Sequence, residues 1–223
     1  MNGRLVDLSV MISTDTLGPP STNVRLELQP FHRGPGFWQV SSLSQSLHTG
    51  AHFDTPLHCF EDGASTDQVR LEDVSGAVAL FDLDKAASEA ITAADLASAD
   101  PGLEAGQIAV LATGWSDAHF GDFPRFYVDS PYLAPDAAEW LVARRPKAVV
   151  FDFFEEYSAR FPDFTSEDFV VHRILLGAGI YLVEQTTGLR QLKGQQATLF
   201  TAFIKLAGAE AAPARVFALL ESE

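Results

Sequence analysis

Residues 46–60, SLHTGAHFDTPLHCF, gather three of the chain's six histidines, an aspartate and its single cysteine. His48 and His52 are four apart, a spacing that would put both on one face of a helix. Gly50 between them and Pro56 just past Asp54 argue otherwise. Proline removes an amide donor and clashes with the preceding helical turn, and Thr49, Phe53 and Thr55 favour extended chain. A strand running into a turn is the expectation. On a strand, side chains at even offsets share a face. His48, Gly50, His52 and Asp54 would then point the same way, with Gly50 leaving the middle of that face open. Pro56 would end the strand and turn the chain before His58.

Two imidazoles and a carboxylate on one face suit zinc or manganese. Any one of these histidines alone reads as an ordinary polar residue satisfied by its neighbours. Burying three of them with an aspartate is costly without compensation. Leaving them exposed would give Gly50 and Pro56 no reason to stand where they do.

Outward from this stretch, short apolar runs rich in β-branched residues recur: RLVDLSV, VRLELQPF, WQVSSLSQSL, GAVALFDL, QIAVLAT, KAVVFDFF, GIYLVEQ, ATLFTAFIKL and ARVFALLE. Three segments read as helices. TAADLAS opens with Thr92 and has Asp95 three residues on, a variant of the capping box. APDAAEWLVARR sets Leu133, Ala137, Trp140 and Leu141 on one stripe and ends in two arginines, which suits its C-terminal dipole. TSEDFVVHRILLGAG opens with Thr165 and Asp168 in the same capping arrangement and stops at Gly177 and Gly179. Strands outnumber helices, and several follow one another directly. The expected fold is therefore α/β with a mixed β-sheet, not a regular βαβ series.

The 223 residues suit one large domain, taken as 1–223. The opening MNGRLVDLSV reads as a first strand and not as a signal peptide, and no apolar run approaches the ~18 residues of a membrane span. A lone cysteine forms no internal disulfide, so a reducing, cytoplasmic setting is expected. The formal net charge of −15 repels phosphate backbones and anionic lipid. No nucleic-acid or membrane partner is expected, and a small-molecule substrate is.

HTGAHFDTPLH resembles the signature His-x-Gly-(Thr/Ala)-His-x-Asp-x-Pro-x-His of the cyclase-like metal-dependent hydrolases, the superfamily of bacterial kynurenine formamidase and isatin hydrolase. Every fixed position is filled, with Ala51 where threonine is more usual. DLSVMIS, LEDVSGAVALFDL, LATGWSD, APDAAEWLVARRPKAVVFD, HRILLGAGIYLVEQTTGL and APARVFALL look like family segments in the expected order, so the likeness spans nearly the whole chain. It implies a swivelling β/β/α-like single domain with mixed sheet and flanking helices. It implies that His48, His52 and Asp54 bind a divalent metal, Zn2+ or Mn2+, with Asp54 able to bridge to a second ion. Of His172 and Glu184, twelve apart as in the family, His172 would belong to that second ion and Glu184 could serve both. One or two ions would bind per site. His58 falls at the acid/base position, so the implied chemistry is hydrolysis of a C–N bond in an amide or cyclic amide by metal-activated water. Relatives are typically dimers or larger assemblies, and a homodimer or homotetramer is expected here.

Two departures bear on substrate. Kynurenine formamidases carry a tryptophan shortly after the Asp-x-Ser segment, where this chain reads DLSVMISTDTLGPPSTN with no aromatic, which argues against N-formylkynurenine. Residues 152–169, DFFEEYSARFPDFTSEDF, replace a shorter Asp-x-x-Ser-x-Asp segment with one that is longer, acidic and rich in phenylalanine. Phe154, together with Phe37 and Trp38 of FHRGPGFW, are the candidate substrate-binding aromatics, although such residues equally serve core or interface. Cys59 reads as packing, and His32 and His119 as loop residues. Lactone or ester hydrolysis, cyclase or lyase chemistry on the same residues, and a non-catalytic metal-binding module are the alternatives. An acid/base residue beside a full ligand set favours an enzyme.

Overall fold

The computed structural model of the chain describes residues 3–161 and 163–221. Met1 and Asn2 of the expected opening strand and Pro162 of the phenylalanine-rich segment lie outside them. Its strands are β1 (Gly3–Asp7), β2 (Glu27–His32), β3 (Gln39–Ser44), β4 (His52–Asp54), β5 (Gly76–Asp82), β6 (Ala90–Ile91), β7 (Ile108–Ala112), β8 (Tyr132–Leu133), β9 (Ala148–Phe151), β10 (Tyr181–Glu184), β11 (Ala197–Phe203) and β12 (Ala211–Glu221). The helices are α1 (Ala93–Ala99), α2 (Trp115–His119), α3 (Arg125–Val128), α4 (Pro135–Arg144) and α5 (Val170–Gly177).

The main sheet runs β1-β12-β11-β5-β7-β9-β10-β4. β5, β7, β9 and β10 are parallel neighbours, and the remaining pairs are antiparallel. β12 also pairs with β4, which closes seven strands into a mixed barrel with β1 added outside. One strand serves three partners, β1, β11 and β4, because β12 is long. Ala211–Pro213 pair with β4, and Ala214 onward pairs with β11. Pro213, which has no amide to donate, ends the stretch paired with β4, and its carbonyl accepts from the Ile204 amide just past β11 (3.3 Å).

β7 and β9 are buried over their whole length. Ile108, Val110, Ala112, Ala148 and Val150 enter one hydrophobic cluster, and Ala109, Leu111, Val149 and Phe151 enter the other. That alternation is the two-residue period of a sheet covered on both faces. The second cluster also takes Leu96 of α1, Ala137, Ala138 and Leu141 of α4, and Val171, Leu175 and Leu176 of α5. The fold is a mixed α/β single domain, with the helices supplying one cover of the sheet.

The α1 cap is as the sequence implies: the Asp95 amide donates to Thr92 Oγ1 (3.3 Å) and the Thr92 amide to Asp95 Oδ2 (2.7 Å). The start of α5 differs. Thr165 and Asp168 cap a separate 3₁₀ turn at Ser166–Asp168, and the α-helix begins only at Val170. Its first free amides, of Val171 and His172, donate to the Glu156 carboxylate at 3.0 and 3.2 Å. The cap comes from the preceding loop, where helical spacing gives no signal.

β2 and β3 form a hairpin that pairs with no other strand of the described residues. Phe37, 86% exposed, and Trp38 stand at its tip.

Candidate metal centre

His52 and Asp54 lie on β4 with Phe53 between them. The alternation sends Phe53 into the core against Phe203, ring centroids 4.3 Å apart, and leaves the other two on the opposite face. Glu184, the last residue of β10, is the antiparallel partner of His52. His172 comes from the first turn of α5. All four side chains are buried.

His48 reaches the same place by another route. The expected strand over 48–54 exists only at 52–54, and residues 47–51 form a turn. Gly50 sits at φ +71°, a left-handed conformation that costs glycine little. A β-carbon there would lie 2.4 Å from Ile12 Cγ2, so the glycine admits a neighbouring side chain and does not open a face to an ion. Gln185 locks the turn: its Oε1 accepts from the Gly50 amide (3.0 Å) and its Nε2 donates to the His48 carbonyl (2.9 Å).

The three imidazoles are oriented from behind. His52 Nδ1 donates to the Gly50 carbonyl at 2.8 Å, which leaves Nε2 facing Asp54 Oδ1 (3.5 Å) and Glu184 Oε2 (3.6 Å). His172 Nδ1 lies 3.2 Å from Glu156 Oε2, and its Nε2 faces Glu184 Oε1 (3.1 Å), Glu155 Oε1 (3.4 Å) and Asp54 Oδ2 (3.7 Å). His48 Nε2 lies 3.3 Å from Glu210 Oε1, and its Nδ1 is 3.1 Å from Asp54 Oδ1. A carboxylate or carbonyl behind each ring is how metal-binding histidines are held.

The residues fit a divalent cation. His52 Nε2, both Asp54 oxygens and Glu184 Oε1 are buried without a hydrogen-bond partner among the described residues. Their close approaches are misaligned as hydrogen bonds. The 3.1–3.7 Å nitrogen–oxygen separations match the ~3.4 Å ligand–ligand edge that follows from bonds of about 2.0–2.2 Å around a tetrahedral ion. Ligand atoms of His52, Asp54 and Glu184 converge within 4.8 Å of one another, as do those of His48, Asp54 and His58, and those of Glu155, His172 and Glu184.

The electrostatics agree with a site that demands positive charge. Burial pulls His48 down, but Asp54 and Glu210 outweigh it and raise the imidazole to about 10. Burial likewise opposes, and contacts with Asp54, Glu156 and Glu184 overcome, at His172, which lies well above its ordinary value. Asp54 is held well below the usual carboxylate range, its burial outweighed by His48 and His52.

His58 ends the 3₁₀ turn Pro56–His58, half-buried, with its ring 4.3 Å from that of His48, 5.2 Å from Phe169 and 5.5 Å from His172. Burial lowers its imidazole to about 4, so it is neutral near pH 7. It lines a cavity with His48, His172, Glu184, Phe154 and Phe169. Pro19, Ser21 and Thr22 of the loop after β1 form the rest of the rim. Phe154 is thus at the cavity, whereas Phe37 and Trp38 stand on the exposed hairpin and are not among its lining residues. Burial raises the Cys59 thiol to about 11, which leaves it un-ionised and packed on the helix side.

Three carboxylates escaped the sequence reading. Glu155 and Glu156 lie in the phenylalanine-rich segment, one on each side of the His172 ring, and Glu210 stands behind His48. Only the acidity of 152–169 hinted at the first two.

The fold matches solved structures along almost its entire length. Isatin hydrolase A from Ralstonia solanacearum superposes with a TM-score of 0.83 at 25% identity, covering 98% of this chain and 92% of that one. Isatin hydrolase A from Labrenzia aggregata, bound to benzyl benzoate, gives 0.83 at 26% identity over 99% of this chain and 94% of that one. A "predicted metal-dependent hydrolase" from Bacillus stearothermophilus gives 0.74 at 25% identity over 98% and 99%. The Cyclase family model matches residues 6–155, from β1 through Glu155, which takes in His48, His52, Asp54 and His58. With most of its length under that match, the chain belongs to the Cyclase family.

Proposed function

We propose that the chain is a metal-dependent hydrolase that cleaves a C–N bond of an amide or cyclic amide, with His48, His52, Asp54, His172 and Glu184 as cation ligands and His58 as acid/base. The observation that carries this reading is the placement of His58. A half-buried imidazole stands on the cavity wall beside the rings of His48 and His172, outside the fully buried set of His52, Asp54, His172 and Glu184. A site that only stored a cation would have no use for it. Similarity to two isatin hydrolases A supports hydrolysis of a carbonyl compound and favours a cyclic amide.

His48, His52, Asp54, His172 and Glu184 would hold the divalent cation, which would supply Lewis acidity to lower the pKa of water and polarise a carbonyl. The chain's own groups do the rest. His58 takes the proton of the attacking water and returns it to the departing nitrogen. A C–O bond forms as the C–N bond breaks, and the products are an amine and a carboxylic acid that releases its proton to solvent as a carboxylate, the two joined in one molecule when the substrate is cyclic. Glu156, Glu210 and the Gly50 carbonyl hold the ligand rings still, so no reorganisation is needed as charge develops. Phe154 and Phe169 give the cavity apolar aromatic walls suited to a flat ring, and Ser21 and Thr22 offer hydroxyls at its rim.

The test is elemental analysis of purified protein followed by a hydrolysis screen of formyl-anilides, isatin, lactams and lactones, with and without chelator. Chelator-sensitive turnover of an amide or lactam is expected. Turnover of lactones alone would reassign the bond to C–O, and turnover that survives complete cation removal would overturn the mechanism.

A further inference from the structure

We infer that Glu155 is a cation ligand that makes the His172 side of the centre an oxygen-rich position, chemically distinct from the imidazole-rich position at His48 and His52. The inference rests on the metal-dependent reading above and adds a residue to it.

Glu155 is fully buried, and neither of its carboxyl oxygens has a hydrogen-bond partner among the described residues. A buried acid with both oxygens unsatisfied forfeits its full hydration, a cost that native structures rarely leave uncompensated. Its one ion-pair contact among the described residues is His172 Nε2 at 3.4 Å. That nitrogen already faces Glu184 Oε1 at 3.1 Å. The Arg160 guanidinium forms no ion pair with Glu155 among the described residues: its Nη1 donates to the carbonyls of Val128 (2.8 Å) and Ser130 (3.2 Å), and its Nε and Nη2 have no hydrogen-bond partner there. Two carboxylates and one imidazole nitrogen thus converge with ligand atoms within 4.8 Å of one another.

The backbone builds this placement. The Phe154 amide donates to Ser130 Oγ (2.8 Å) and the Leu133 amide donates to the Glu155 carbonyl (3.0 Å), which pins the chain just past β9. From there consecutive glutamates grip one ring from both ends. Glu156 takes the Nδ1 side of His172 while capping α5, and Glu155 meets Nε2. Glu156 orients the ring, and Glu155 shares the position that Nε2 addresses.

The donor balance sets the preference. Imidazole suits zinc, whereas carboxylate oxygens suit manganese and other hard cations. His48 and His52 bring two nitrogens to Asp54 on one side. His172 brings a single nitrogen to Glu155 and Glu184 on the other, which favours Mn2+ there.

The experiment is titration of metal-free full-length protein with Mn2+, counting bound ions by elemental analysis after desalting and free ions by electron paramagnetic resonance. Wild type is expected to hold two Mn2+ per chain. Glu155→Gln should weaken one of them by at least tenfold and leave the other, and Glu155→Asp, which keeps the charge on a shorter arm, should fall between. Folding of each variant is checked by circular dichroism, and if Glu155→Gln does not fold, Glu155→Asp decides. Unchanged stoichiometry and affinity in the folded variant would overturn the assignment, as would a wild type holding one ion that Glu155→Gln retains, and in both cases the hydrolase reading would stand. A wild type that binds no cation would overturn both.

Discussion

Glu184 lies directly across from His52 in the antiparallel pairing of β10 with β4, with Oε2 3.6 Å from His52 Nε2. The centre is therefore built across the seam where the barrel closes, because β4 is held on one side by β10 and on the other by β12. His52, Asp54 and Glu184, from distant parts of the chain, meet there on paired strands. The same seam buries them, which is why their unpaired atoms call for a cation.

His58→Ala should lower kcat by ~10²–10⁴-fold, the usual worth of a general acid–base group, with bound metal unchanged. Asp54→Ala should lose the metal together with the activity, because both oxygens of Asp54 face ligand nitrogens. Metal content and kcat measured side by side separate the two roles. A His58→Ala protein that loses its metal would contradict the assignment of His58 as acid/base.

Gln185→Ala should reduce cation affinity by ~10–100-fold, as loss of an outer partner typically does. It frees the turn that delivers His48 and leaves the Gly50 amide and His48 carbonyl without partners. Unsatisfied buried groups of this kind cost about 1–3 kcal/mol of stability. Calorimetric titration and urea unfolding test the two effects separately, and wild-type affinity in the variant would show that the turn holds itself.

Asp95→Asn should flatten the acid limb of stability. Burial opposes ionisation of Asp95, but Thr92 and Lys85 outweigh it and lower the carboxyl from 3.8 to about 2. Between those values the folded chain binds fewer protons than the unfolded one. The contribution is thus complete above about pH 4 and disappears as pH falls through about 2. The stability gap between wild type and variant, followed by chemical denaturation from pH 5 to 2, should narrow as pH drops. A constant gap would mean that the cap acts through shape and not charge.

Phe53→Ala should destabilise metal-free protein by ~3–5 kcal/mol, the range for deleting a buried phenylalanine ring. Phe53 is fully buried against Phe203 and Tyr181, at centroid distances of 4.3 and 6.5 Å. Because it sits between His52 and Asp54, the variant should also bind cation more weakly at temperatures where it stays folded. A loss below ~1 kcal/mol in urea unfolding would show that the core refills the space.

The sequence by itself determined the features that need only near neighbours. Alternation along a strand places His52 and Asp54 on one face with Phe53 on the other, and Thr92 with Asp95 caps α1, because both depend on residues two or three apart. The motif and its family likeness pointed to His172 and Glu184. Tertiary structure alone decided the rest. His48 arrives through a left-handed turn at Gly50 that Gln185 ties down, not along a strand. Helix α5 starts at Val170 because Glu156 supplies its cap from another segment, and Glu155 meets His172 through that same loop. The barrel closes because one long strand, β12, pairs with β11 along one edge and, through Ala211–Pro213, with β4 along the other. Each of these is a pairing between segments remote in sequence, chosen by which buried surfaces and hydrogen-bonding groups satisfy one another, and no local spacing encodes such a choice.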